Sequence, residues 1–191
     1  ISELLGRIDG FLFPGGDISH GQEFYEQGHK PCWPTSRRAQ FEIALMRAAM
    51  IKDKPILGIC LGMQIMGCLM GGRLRVLPKQ TFGLKPSMHR QEDGRRLVHE
   101  INIKPDTRLS RIIGTKRLSV NSIHSEEIVA IEPSYISAYA NDGVIEGIED
   151  PAKTFMLGVQ WHPEYFICEN TPHLQILKAL SIFSSSFSFS T

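Results

Sequence analysis

The 191-residue chain is 42% hydrophobic and 21% charged, with 21 Lys and Arg set against 20 Asp and Glu. Its length suits one domain with a sizeable core, residues 1–183 ahead of a short tail, and its composition is that of an ordinary soluble globular protein. A formal net charge of +1 gives no reason to expect nucleic acid or a membrane surface as partner, and no apolar run is long enough to cross a bilayer.

In chain order, residues 1–7 fit the end of a helix that Gly6 weakens, and residues 10–13 a short buried strand. Pro14-Gly15-Gly16-Asp17 breaks that strand with the strongest turn signal in the chain. Residues 18–36 show no periodicity and read as a long loop bordering a site. Over residues 37–51, Phe41, Ala44, Leu45, Ala48 and Ala49 recur at helical spacing, with Thr35 or Ser36 as cap. A charged turn, Lys52-Asp53-Lys54, leads into the apolar run 55–59, which reads as a buried parallel strand. Strand, helix and strand together predict a right-handed parallel crossover.

That second strand runs into Gly58-Ile59-Cys60-Leu61-Gly62 and then a helix over residues 63–70. G-x-C-x-G is the cysteine form of the strand–turn–helix elbow that serine hydrolases write as G-x-S-x-G. Such a turn lifts the sulfur into a cleft and sets Cys60 at a helix N-terminus, which favours thiolate. It also leaves the Leu61 N–H to face a developing oxyanion. A buried structural cysteine is the competing reading, so the base matters.

Residues 74–77 and a polar stretch, 78–96, fall outside the main sheet. Arg90, Arg95 and Arg96, interrupted by Glu92 and Asp93, read as a solvated loop. Residues 97–103 alternate as a half-buried strand, and residues 107–113 form a short helix closed by Gly114. A strand over 117–121 enters Ser122-Ile123-His124, where His124 has a bland role as a turn-stabilising donor. Glu126 and Glu127 lie on a solvated helix face or, if one faces the cleft, repel a leaving group that carries a carboxylate. Asn141-Asp142-Gly143 joins a hairpin of residues 135–140 and 144–148.

The last core strand, 156–160, ends in Trp161-His162-Pro163-Glu164, at the sheet edge where open α/β folds place their sites. His162 can take the thiol proton, and Glu164 can hold the imidazole by its other nitrogen. Thr171-Pro172 starts a final helix whose buried face is Leu174, Ile176, Leu177, Leu180 and Phe183; residues 184–191 read as a frayed tail or an extra edge strand. Cys32, Cys60, Cys68 and Cys168 lie far apart without the tight pairing of a zinc site, so no metal and no cofactor are expected. Reduced thiols of this kind suit a cytoplasmic location.

GICLGMQ at 58–64, GVQWHPE at 158–164 and Pro14-Gly15-Gly16-Asp17 resemble the class I glutamine amidotransferase superfamily. Gly15-Gly16-Asp17-Ile18, Val120-Asn121-Ser122-Ile123-His124 and Asp142-Gly143-Val144-Ile145-Glu146 are similar to its γ-glutamyl-γ-aminobutyrate hydrolase branch, a group of γ-glutamyl peptidases. The resemblance runs from about residue 9 to residue 164. It implies a three-layer, flavodoxin-like α/β fold, mostly parallel, with an antiparallel section at about 97–150. It also implies a Cys60–His162–Glu164 triad and Gly16 N–H as a second oxyanion donor opposite Leu61. Gln64 is then expected to reach the acyl group, and Asn121, Ser122 and His124 to border the γ-glutamyl pocket.

Three departures bear on function. Leu61 stands where the hydrolase branch has Arg, as in many ammonia-supplying amidotransferases. Ser125-Glu126 replace the branch's His-Gln. The chain starts at Ile1, so an N-terminal section of the family fold, with strands beside the nucleophile strand, is expected to be missing. The reading is a cysteine-dependent hydrolase of γ-glutamyl amides acting on a small molecule. The alternatives are a glutaminase subunit feeding a separate synthetase, or an inactive binding member of the fold. The assembly partner is either a second copy or that synthetase.

Overall fold

The computed structural model describes residues 1–17, 20–30, 36–77, 89–91, 93–167 and 171–187. A short helix α1 (Ser2–Arg7) precedes β1 (Phe11–Phe13), and α2 (Arg37–Ile51) crosses to β2 (Ile56–Ile59). The chain continues through α3 (Leu61–Leu69), β3 (Arg73–Val76), β4 (His99–Ile103), α4 (Arg108–Ile113), β5 (Arg117–Val120) and β6 (Glu126–Val129). It closes with β7 (Ile136–Ala140), β8 (Ile145–Glu149), β9 (Met156–Val159) and α5 (Pro172–Phe187).

Seven strands form one sheet in the order β1-β2-β9-β8-β7-β4-β5. β1, β2 and β9 are parallel, and Phe13, Gly58 and Gly158 lie level across them. That register brings the turn after β1, the elbow after β2 and the His162 segment after β9 to one edge. The strands from β8 to β5 are antiparallel, as expected for residues 97–150. Among the described residues β2 lies between β1 and β9, and β1 and β5 are the two end strands.

β2 and β9 are buried along their whole length because both faces are covered. Ile56 and Met156 pack with Met46, Met63 and Met66 under α2 and α3. Leu57, Ile59, Leu157 and Trp161 pack on the other face with Leu109 and Ile176, beneath α4 and α5. Alternate residues of one strand thus feed two cores, which makes the three layers expected of the α/β fold.

Local signals fixed several ends. Ser36 Oγ caps α2 from Ala39 N–H at 3.2 Å, and Thr107 caps α4 through Ser110 N–H at 3.1 Å. Gly114 closes α4 in the left-handed region at φ 75°. Gly143, at φ 90°, turns the β7–β8 hairpin.

Three expectations are corrected. The buried face of α2 is Ala39, Glu42, Leu45, Met46 and Ala49, while Phe41 is half exposed. The helix is rotated because Glu42 is drawn inward by Arg38, whose Nε donates to it at 2.8 Å. Glu126 and Glu127 lie on a strand, not a helix: β6 pairs with β3 in a two-stranded antiparallel sheet, and both glutamates are buried. Tyr25 OH donates to Glu126 at 2.9 Å and Arg75 to Glu127 at 3.0 Å, which offsets the cost of burial. Residues 184–187 continue α5, with Ser184 and Ser185 hydroxyls bonded back to the carbonyls of Leu180 and Ser181. Arg90, Arg95 and Arg96 are all exposed, as expected of a solvated loop, and Arg90 also lines a cleft. Cys32, Thr35 and Cys168 lie outside the described residues.

Candidate active site

The elbow is built by close packing. A Cβ on Gly58 would stand 2.6 Å from the Gly62 carbonyl carbon, and one on Gly62 would stand 2.2 Å from the Phe13 oxygen. Any side chain at either place would push β1, β2 and α3 apart. Between the two glycines Cys60 adopts φ 50°, ψ −103°, a conformation that costs a non-glycine residue about 1–3 kcal/mol. It is pinned there by its own N–H, which donates to Val159 O at 2.8 Å, and by Gln64 N–H, which bonds Cys60 O at 3.0 Å. Leu61 is the first residue of α3, where backbone N–H groups have no partner within the helix.

His162 is held from three sides. Asn121, fully buried, accepts from His162 N–H at 2.9 Å and donates back to His162 O at 3.2 Å. This pair of bonds makes the amide a substitute strand partner and fixes its orientation. His162 Nδ1 lies 2.6 Å from Glu164 Oε1, and Cys60 is the other group that favours the charged ring. Burial pulls the His162 pKa down, but Cys60 and Glu164 outweigh it and hold the imidazolium up to about 10. A Cβ on Gly15 would sit 2.5 Å from His162 Cε1 and 3.4 Å from Cys60 Cβ, so the turn after β1 closes directly over the pair.

That turn is oriented by α2. Arg38 Nη2 donates to Gly15 O at 3.0 Å while its Nε pairs with Glu42. A trans peptide points its C=O and N–H in opposite directions, so the Gly16 N–H leaves on the side away from Arg38. Gly16 lines the cleft together with Cys60, Gln64, Arg90, His124 and Glu126. Gln64 Nε2 donates to Glu126 O at 3.0 Å and to Gln160 at 3.3 Å, which ties α3 to β6.

The structure therefore brings Cys60, His162, Glu164, Gly16, Leu61 and Gln64 together. His124 lines the cleft, with Nδ1 bonded to Glu126 O at 3.0 Å. Asn121 and Ser122 do not line it: both are fully buried, and Ser122 Oγ donates to His89 O at 3.0 Å. They position backbone rather than meet a ligand. Sequence reasoning missed Arg38, Asp17 and Arg90, since nothing in their local spacing tells of partners so far along the chain.

The family profile of peptidase C26 matches residues 1–164. The chain belongs to this family. It is a member of the class I glutamine amidotransferase-like superfamily. A relative in Escherichia coli K12, the γ-glutamyl-γ-aminobutyrate hydrolase PuuD, is 30% identical over 175 residues, covering 86% of this chain and 67% of that protein. NtpR of Enterococcus hirae is 35% identical over 170 residues, or 85% of this chain and 70% of its own. Among solved structures, the glutaminase domain of Trypanosoma brucei CTPS with bound acivicin has the same fold. It superposes with TM-score 0.68 at 18% identity over 97% of this chain and 74% of that one.

Proposed function

We propose that this C26 protein hydrolyses γ-glutamyl amide bonds through a γ-glutamyl thioester on Cys60. The observation that carries the reading is a strained cysteine at an elbow, facing the same Gly15 turn as a histidine whose Nδ1 lies 2.6 Å from Glu164. The Cys60 sulfur attacks the side-chain carbonyl, and the negative charge that develops on oxygen meets the N–H groups of Gly16 and Leu61. His162 gives its proton to the departing amine as the C–N bond breaks. Water then adds to the thioester carbonyl with His162 as base, and glutamate and the Cys60 thiol are released. Glu164 keeps the imidazole oriented and stabilises its charged form throughout.

The likeness to PuuD supports the γ-glutamyl amide as substrate class. The test is a hydrolysis panel of glutamine, γ-glutamyl-γ-aminobutyrate, γ-glutamyl dipeptides and folyl-poly-γ-glutamate, with free glutamate as readout. At least one should be turned over by wild type and none by Cys60→Ser. Turnover surviving in Cys60→Ser would remove the thioester.

Leu61, buried in the core beneath α3 where the hydrolase branch carries Arg, favours a second reading, a glutaminase that passes ammonia to a synthetase. Activity confined to glutamine, and rising on addition of such a partner, would select it.

A further inference from the structure

Behind the cleft, three histidines from distant parts of the chain close on one carboxylate. Glu146 of β8 is fully buried, and its Oε1 lies 3.3 Å from His89 Nδ1, 3.1 Å from His99 Nε2 and 3.6 Å from His124 Nε2. The His89 ring is 4.9 Å from both the His99 and His124 rings. All three histidine side chains are at least nine-tenths buried. Backbone bonds hold the arrangement: Gln91 N–H donates to Ser122 O at 3.0 Å and His124 N–H to His89 O at 2.8 Å.

The outward bonds of these rings decide which nitrogens carry protons. His124 Nδ1 is 3.0 Å from Glu126 O, a carbonyl that can only accept, so Nδ1 holds the hydrogen. His89 Nε2 is 2.8 Å from the Asp142 carboxylate and is likewise the donor. Ser122 Oγ, 3.5 Å from His89 Nδ1, commits its own proton to His89 O. In neutral rings, His89 Nδ1 and His124 Nε2 then turn lone pairs toward the Glu146 carboxylate. Among the described residues, His124 Nε2, Glu146 Oε2 and His99 Nδ1 have no hydrogen-bond partner. Either a proton on His89 Nδ1 or a metal ion can stand between these nitrogens and the carboxylate, and only the ion also meets the His124 Nε2 lone pair.

We propose that His89, His99, His124 and Glu146 form a binding site for one divalent first-row transition ion, zinc being the best match. Three imidazole nitrogens and one carboxylate oxygen are a zinc donor set, and bonds of about 2.0–2.1 Å in a tetrahedron place neighbouring ligand atoms about 3.3 Å apart. The observed distances of 3.1–3.6 Å to Glu146 Oε1 meet that spacing. The ligand-bearing atoms of His89, His99 and Glu146 all lie within 4.8 Å of one another; His124, outside that span but 3.6 Å from Glu146 Oε1, would close on the ion to complete the set. Asp142 behind His89 and the Glu126 carbonyl behind His124 are the outer partners that orient metal-binding histidines. Four protein ligands leave no open position, so the ion is structural: it clips the 89–91 and 122–124 segments to β4 and β8. His124 also lines the cleft, so the clip braces one wall of the site. Ligands 10 to 25 residues apart in sequence, with no close Cys or His pairs, are why the expectation of no metal rested on spacing alone.

The test uses the full chain, stripped with a chelator and dialysed, then titrated with Co²⁺ and Zn²⁺. One equivalent should bind, with the visible absorption of four-coordinate Co²⁺ and a rise in Tm on Zn²⁺. His99→Ala and Glu146→Gln should each weaken binding at least about 100-fold, beyond the 10- to 100-fold typical of outer partners. Cys60→Ser should bind as wild type does, which separates the site from the reactive thiol. If Glu146→Gln does not fold, His99→Ala decides. Folded wild type that binds no equivalent, or unchanged affinity in His99→Ala, would overturn the site and leave a hydrogen-bonded imidazole–carboxylate cluster.

Discussion

Arg38 acts at a distance of one peptide. Its guanidinium holds Gly15 O and thereby aims the Gly16 N–H away from α2, while Glu42 keeps Arg38 itself in place. Without that bond the Gly15–Gly16 peptide is free to turn. Loss of an oxyanion donor typically costs about 10²–10³ in kcat. Arg38→Ala should therefore lower kcat about tenfold, because the peptide still samples the correct orientation, with KM little changed and Tm near wild type. A kcat equal to wild type would mean that Gly16 N–H does not meet the oxyanion. His162 gives a second prediction at this scale. Its folded pKa, near 10, is raised above the ordinary 6.5 by its partners Cys60 and Glu164 against the pull of burial. The folded state thus keeps a proton that the unfolded chain releases first. The stability this contributes is fully present below pH 6.5 and lost as pH rises toward about 10. Urea midpoints across that window should fall more steeply for wild type than for His162→Ala. Parallel slopes would contradict the retained proton. On activity, Glu164→Gln should be less damaging than His162→Ala, since an amide keeps part of the orienting bond; equal residual rates would give Glu164 a more direct part.

The elements divide into those legible in the sequence and those that only contact reveals. The Thr107 cap, the Gly114 stop, the Asn141-Asp142-Gly143 hairpin and the buried runs of β2 and β9 were readable because each is decided within a few residues. The elbow was readable for the same reason, since two glycines flank its cysteine. β6 was not, because Glu126 and Glu127 are poor strand residues whose burial is made tolerable only by Tyr25 and Arg75, 101 and 52 positions away. The rotation of α2 was hidden likewise: Glu42 goes inward only because Arg38 is needed at Gly15. Asn121 read as a ligand contact, but its partner is the backbone of His162, 41 residues on. Close packing at the elbow supplies the prediction for this scale. Gly62→Ala would place its Cβ 2.2 Å from the Phe13 oxygen, a backbone atom that cannot swing aside. Overpacking of this kind costs about 1–3 kcal/mol. The variant should lose that much stability in urea, and Cys60 should react more slowly with iodoacetamide as the elbow shifts. A stable variant with wild-type labelling would show that β1 can retreat without cost.

Taken whole, the molecule makes its cleft from four separate stretches: Gly16 and Asp17 after β1, Cys60 and Gln64 at the elbow, Arg90, and residues 123–126. In the proposed reaction the first two stretches carry the nucleophile and the oxyanion donors, which act alike on any γ-glutamyl carbonyl. Choice of substrate must come from the others. Glu126 or Glu127, if either faced the cleft, was to repel an anionic leaving amine; both Glu126 carboxylate oxygens lie 2.9 Å from the one Tyr25 hydroxyl, and Glu127 is paired with Arg75. With both charges already met, Glu126→Gln should leave the preference between γ-glutamyl-γ-aminobutyrate and a γ-glutamyl polyamine unchanged. Among the described lining residues Arg90 is the one Arg or Lys, set beside Ser125, and Asp17 lines the same cleft. A cation and an anion facing the same space match the α-carboxylate and α-amino groups that every γ-glutamyl substrate shares. A hydrogen bond to a charged group is worth about 1.5–3 kcal/mol, or roughly a 10- to 100-fold change. Arg90→Ala should therefore raise KM by about that factor, and equally, for glutamine and for γ-glutamyl-γ-aminobutyrate, with kcat largely kept. If the loss falls on γ-glutamyl-γ-aminobutyrate alone, Arg90 holds the carboxylate of the leaving amine instead, and the specificity of the protein resides in that one side chain.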